Sequence, residues 1–237
     1  MGAFDRVKLL IGSENYAKLK DSNVAVFGIG GVGGYVAEAL VRSGIGSITV
    51  VDSDVVSDSN INRQIIATTK TIGKDKVSVM KDRLLSINPD LNFCEKKIFY
   101  LPENSEEISL ESFDYVVDAV DTVSAKIELI VRAKSANVPI ISCMGTGGKT
   151  DPTKLTVCDV YQTKGCPLAR VMRRELKKRG IDCLKTVFSY EQTSSSDEKE
   201  FSEPKGKDRT APPSMIFVPA SAGILLAREV VFDIIKK

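Results

Sequence analysis

The chain has 237 residues, 43% hydrophobic and 27% charged, with a formal net charge of +2: enough apolar material for a full core, and too little charge to demand nucleic acid or membrane across the whole surface. Five scattered cysteines without a C-x-x-C pair predict free thiols rather than a disulfide framework or a thiolate zinc site, and the absence of histidine excludes any imidazole relay or ligand. No apolar run approaches the roughly twenty residues that span a bilayer, and the N-terminus lacks a secretory core, so the chain reads as cytoplasmic with no membrane partner.

Short apolar runs alternate with longer amphipathic ones through the first half, the signature of βαβ units laid into a parallel sheet. Strands are predicted at 24–27, 47–52, 93–98, 115–120 and 139–143, and helices at 32–43, 74–86 and 122–136, the second stopped by Asn88-Pro89. Beyond Gly145-Thr146-Gly147-Gly148 the pattern changes: 154–160 and 184–190 alternate apolar and polar side chains around a basic segment, predicting an antiparallel extension. The stretch 191–214 is polar and rich in Ser and Pro and reads as a mobile loop, and an apolar, small-residue helix at 220–235 closes the chain. The expected class is α/β: a Rossmann-like, mostly parallel sheet with helices on both faces and an antiparallel C-terminal extension. It is read as one domain, 1–237, with a first half at 1–150 and the extension at 151–237. A sheet of this class binds its ligand at the carboxyl ends of the strands.

The glycine run Gly28-Ile29-Gly30-Gly31-Val32-Gly33-Gly34 follows a predicted strand and opens a predicted helix, so its backbone amides can meet a phosphate at the helix N-terminus. Asp52 ends the next strand, where a carboxylate commonly accepts from ribose hydroxyls. Alone, these two features fit a dinucleotide oxidoreductase as readily as an ATP site. The polar cluster that follows is harder to reconcile with a dinucleotide: Asp54 leads into Asn60 and Arg63, and Lys76 stands shortly after Gly73. Above ATP phosphates, Asn60 and Arg63 can position the polyphosphate, while Arg63 and Lys76 neutralise charge as pyrophosphate leaves. The plainer reading of two cations, solvated surface residues, is set aside only by their grouping. Asp118 and Asp121 end an apolar strand; Asp121 is suited to Mg²⁺ on the phosphates, and Asp118 as readily to a catalytic role as to capping the next helix.

In this order and spacing, GIGGVGG (28–34), VDSD (51–54), NINRQ (60–64), IGKDKV (72–77) and VVDAVDT (116–122) resemble the ubiquitin-activating-enzyme superfamily that includes ThiF, MoeB and HesA. Members adenylate a terminal carboxylate with ATP and release pyrophosphate. The resemblance implies a nucleotide loop at Gly28, Gly30, Gly31 and Gly33, ribose at Asp52, phosphates at Arg63 and Lys76, and Mg²⁺ at Asp121. It also implies a homodimer in which Arg6 completes the partner's site. ThiF and MoeB carry two C-x-x-C pairs for zinc, which this chain lacks, so activation of a ubiquitin-like sulfur carrier stands as the alternative. GCPLAR (165–170), RRELKKRGI (173–181) and SMIFVPA (214–220) instead resemble the TcdA branch, the tRNA threonylcarbamoyladenosine dehydratases. These are understood to activate the threonyl carboxylate of the modified adenosine beside the anticodon and close it into a ring with loss of water. Sulfur-transfer proteins are further expected partners.

Local charge fits a tRNA partner. Between Lys164 and Lys185 stand eight Lys or Arg residues against two acids, Glu175 and Asp182. Arg170, Arg173, Arg174, Lys177 and Lys178 repeat at helical spacing, with Leu168, Val171, Met172 and Leu176 opposite, so the cations can track a phosphate backbone or simply be solvated. Cys166, between Gly165 and Pro167, is the one candidate nucleophilic thiol, although ring closure of an acyl-adenylate requires none; Cys143 reads as core.

Overall fold

The computed structural model describes residues 2–192 and 212–236. Among these residues seven strands form one sheet: β1 (Asn23–Phe27), β2 (Ser47–Val51), β3 (Asn92–Lys96), β4 (Tyr115–Asp118), β5 (Ile140–Cys143), β6 (Leu155–Asp159) and β7 (Lys185–Ser189), in the order β3-β2-β1-β4-β5-β7-β6. All neighbouring pairs are parallel except β6 with β7. The expected antiparallel extension is the β6–β7 pair. β7 runs parallel beside β5 and belongs to the doubly wound sheet, and β6 alone is reversed.

Among the described residues seven α-helices accompany the sheet: α1 (Asp5–Ile11), α2 (Ser13–Asp21), α3 (Gly33–Arg42), α4 (Lys76–Ile87), α5 (Val123–Ser135), α6 (Pro167–Lys178) and α7 (Phe217–Lys236). Period-two alternation sorts the strand residues between two cores. Val24, Val26, Ile48, Val50 and Val117 point to one face, beneath α3, α4 and α7. Ala25, Phe27, Val116 and Ile140 point to the other, beneath α5 and α6. The helices on both faces are those the apolar periodicity predicts. α1 and α2 carry no strong periodic signal and were not predicted: α1 buries no residue, and α2 buries only Leu19.

The boundaries shift for local reasons. α4 starts at Lys76 rather than 74 because Asp75 takes an extended backbone as N-cap. α7 starts at Phe217, earlier than 220, because Pro219 then falls in the first turn, where its missing N–H costs nothing. The middle of the expected 191–214 loop lies outside the described residues. Its two ends lie within them and are fastened: both Glu191 oxygens accept from the Thr150 amide at 3.0 and 3.1 Å, and Gly148 N–H donates to Pro213 O at 2.7 Å.

Candidate active site

A cavity of about 620 Å³ opens along the carboxyl ends of β1, β2, β4 and β5. Its floor begins with the turn between β1 and α3. Gly28 has φ +87°, and a Cβ there would meet Ala119 O at 2.6 Å; one on Gly33 would meet Gly28 O at 1.7 Å. Only glycine closes this turn. Gly28, Gly30 and Gly31 line the cavity. Gly33 does not: buried in the first turn of α3, it allows the close approach of helix and loop instead of facing a ligand, which corrects its expected place among the nucleotide contacts.

Asp52 follows β2 and lines the same cavity. One carboxylate oxygen accepts from Ile29 N–H at 2.6 Å and the other from Asp54 N–H at 2.8 Å, which ties the glycine turn to the end of β2. Burial raises the Asp52 pKa against the opposing pull of Lys76 and these two amides. Lys76 is buried at the first position of α4 and donates to Asp54 at 2.7 Å, with Asp52 at 3.9 Å. An ammonium in the first turn of a helix opposes the macrodipole, so these carboxylates are what hold it there.

Asn60 and Arg63 come from the short turn after β2. Asn60 is buried, and its side-chain oxygen accepts from Ser57 N–H at 3.2 Å, so it shapes the turn as well as lining the cavity. The Arg63 guanidinium donates to Ser59 O at 2.7 Å and Asn62 Oδ1 at 3.0 Å; it forms no ion pair among the described residues. Gln64 also lines the cavity, and its buried Oε1 has no partner among the described residues, an acceptor left for a ligand. The sequence reading passed over Gln64, although it closes the same NINRQ cluster.

At the end of β4, Asp121 is exposed on the cavity wall, with Thr122 Oγ1 at 3.4 Å as its one hydrogen-bond partner among the described residues. Asp118 is neither cap nor ligand. It is fully buried and accepts from Lys126 Nζ at 3.0 Å and Ser142 Oγ at 2.5 Å, while Lys126 also donates to Val120 O at 3.0 Å. This knot fixes the 119–122 turn that presents Asp121. Both roles weighed for Asp118 in the sequence are thereby overturned.

The β5 end adds a wall the sequence did not reveal. Lys149, 3% exposed, donates to Gly145 O at 2.9 Å and Ser189 O at 3.3 Å. Cys143 and Cys166 line the cavity beside it. Cys143 is core, as read, and burial pushes its thiol up to about 12. Cys166 is not an open loop residue: it is the buried N-cap of α6, with Sγ accepting from Ala169 N–H at 3.5 Å. All five cysteines are free, and no group of three metal-binding side chains occurs among the described residues.

The basic stripe on α6 is narrower than predicted. Arg170, Arg174, Lys177 and Lys178 are exposed, but Arg173 turns back to donate to Thr163 O at 2.9 Å and to the Thr163 hydroxyl, so it braces the preceding turn. Arg174 and Lys178 both bond Glu175, at 3.1 and 2.9 Å. Arg6 sits exposed on α1 and does not line the cavity.

A doubly wound sheet with a glycine turn, flanking cations and a polar cleft at its carboxyl edge defines an α/β protein of nucleotide-binding type. The chain belongs to the ThiF family, whose model matches residues 4–231. It is 42% identical over 240 residues to a tRNA threonylcarbamoyladenosine dehydratase of Bacillus subtilis, covering 98% of this chain and 94% of that protein. It is 38% identical over 193 residues to the Escherichia coli protein of the same name, covering 77% and 71%. The crystal structure of the E. coli enzyme, TcdA, in complex with ATP superposes with a TM-score of 0.87 at 31% identity, covering 98% of this chain and 93% of that one.

Proposed function

We propose that this protein is a tRNA threonylcarbamoyladenosine dehydratase: it adenylates the threonyl carboxylate of the modified adenosine and closes the product into a ring with loss of water. The similarity along nearly the whole chain to a protein of that name carries the reading. The absence of a cysteine metal group among the described residues gives no support to the sulfur-carrier alternative.

The cavity residues divide the work in an order that follows the sheet edge. Gly28, Gly30 and Gly31 hold phosphates on backbone amides at the α3 N-terminus, and Asp52 takes the ribose. Asn60 fixes the turn from which Arg63 reaches the phosphates, and Asp54 sets the Lys76 ammonium beside them. As the carboxylate oxygen bonds to the α-phosphorus and pyrophosphate departs, Arg63 and Lys76 offset the charge that gathers on the leaving group. Mg²⁺ suits the donor set. Asp121 is one exposed carboxylate without a cation partner among the described residues, and that ion favours one or two carboxylates together with phosphate oxygens. When bound at Asp121, the ion would supply charge neutralisation at the phosphates; the chain's part is to hold Asp121 through the buried Asp118–Lys126 knot.

tRNA binds the exposed cations of α6, with Arg170, Arg174, Lys177 and Lys178 along the phosphate backbone and Arg173 as their brace. The protein acts as a cytoplasmic homodimer, with Arg6 reaching the partner's site. Leu9 and Leu10, 77% and 84% exposed on α1 beside Arg6, are apolar side chains that support such an association.

The test is tRNA-dependent exchange of labelled pyrophosphate into ATP. Wild type exchanges; Arg63→Ala and Asp121→Asn each lower exchange by about 100-fold or more, as loss of one preorganised transition-state contact does. Chelation abolishes exchange and added Mg²⁺ restores it. Wild-type exchange rates in both variants overturn the site assignment.

A further inference from the structure

Along the sheet edge the order β3-β2-β1-β4-β5-β7 runs from Asp52, past the glycine turn, to Asp121 and then to Lys149. A nucleotide with its ribose at Asp52 and its phosphates at the turn leaves the β4–β5 side of this cavity as the space open to an acyl group. Lys149 closes that end. With two N–H bonds given to Gly145 O and Ser189 O, its nitrogen keeps one tetrahedral position, and the side chain lines the cavity. It has no ion pair among the described residues.

We propose that the Lys149 amine accepts the proton released when the acyl-adenylate closes into a ring, which makes it the base of the dehydration step. The inference rests on the dehydratase reading above. In that step a carbamoyl atom bonds to the acyl carbon, the acyl C–O bond to AMP breaks with its electron pair going to the phosphate, and the carbamoyl N–H proton passes to Lys149 and then to water. No further reactant is needed. A chain without histidine must use another base, and the neighbours are committed elsewhere. Asp121 serves the metal, the Glu191 oxygens accept from Thr150 and Asp151, and burial keeps Cys143 a thiol.

The groups facing Lys149 are Cys143 from β5, Cys166 from the head of α6 and Glu191 beyond β7. Burial lowers the Lys149 pKa, and these three only partly oppose it. A neutral amine has two N–H groups for the two carbonyls and a lone pair for the remaining position, the protonation state a base requires.

The experiment compares wild type, Lys149→Gln and Lys149→Arg on tRNA carrying threonylcarbamoyladenosine. Pyrophosphate exchange is read alongside single-turnover formation of the dehydrated nucleoside and hydroxylamine trapping of the acyl-adenylate. Both variants are expected to keep exchange within about twofold, to slow ring closure by about 100-fold or more, and to accumulate trappable adenylate. Wild-type closure should fall as pH drops, and the variants should lose that limb. Closure restored in Lys149→Arg overturns the proposal in favour of a charge anchor, and loss of exchange in folded variants overturns it in favour of a role in adenylation. Should both variants fail to fold, a flat wild-type pH profile for closure overturns it and a falling acid limb supports it. A wild type that exchanges pyrophosphate but never dehydrates the nucleoside defeats the dehydratase reading itself, a separate failure.

Discussion

Asp118 has zero exposure and is paired there with Lys126, equally buried, while Ser142 donates to its Oδ2. Removing one partner leaves the other charge uncompensated. Lys126→Met should lower stability by about 3–5 kcal/mol in urea unfolding, and Asp118→Asn combined with it should recover much of that. A Lys126→Met protein of wild-type stability would show that the knot does not carry the 119–122 turn. The sequence made Lys76 and Asp121 legible because they stand at a helix start and just past a strand end, and Arg63 because it belongs to the polar turn after β2, so local spacing alone brings each to the sheet edge. Lys126, Gln64 and Lys149 were missed for a different reason. A lysine in an amphipathic pattern reads as solvated, and Lys149 is defined by Ser189, forty residues later, which nothing local announces.

Between elements, Glu38 joins α3 to α4 through Arg83 and binds Arg42 at 2.8 Å within its own helix. Burial alone would raise its pKa, but hydrogen bonds from Arg83 and Arg42 outweigh it and hold the carboxyl below its ordinary value. Its contribution is therefore complete above the unfolded pKa of about 4.3 and is lost as pH falls through the lower folded value. The stability gap between wild type and Glu38→Gln should be present at neutral pH and shrink as pH falls below about 4.3; a gap that does not shrink on acidification contradicts the pairing. On α6, charge reversal at Arg174 and Lys177 should weaken tRNA binding uniformly across tRNAs. Each substitution should reduce the slope of log affinity against log salt by about one, read by filter binding at several salt concentrations. An unchanged slope removes α6 from the tRNA path. The stripe was legible from its spacing, but the withdrawal of Arg173 was not, because its partner Thr163 belongs to the preceding turn.

At the scale of the molecule, periodicity sufficed for the doubly wound sheet because strands buried on both faces read as unbroken apolar runs between amphipathic helices. It predicts the antiparallel β6–β7 pair but not the parallel seat of β7 beside β5, since alternation does not name a strand's neighbour, and it missed α1, whose exposed Leu9 and Leu10 are not settled by packing within one chain. The residues proposed for nucleotide, phosphate and acyl group line one cleft, and on that proposal activation and ring closure follow without release of the adenylate. The most direct measurement is mass spectrometry of anticodon-loop nucleosides after tRNA carrying threonylcarbamoyladenosine is incubated with the protein, ATP and Mg²⁺. The account predicts conversion to a species lighter by one water, dependent on ATP and absent with Arg63→Ala. An unchanged nucleoside in the presence of active, ATP-binding protein would contradict it.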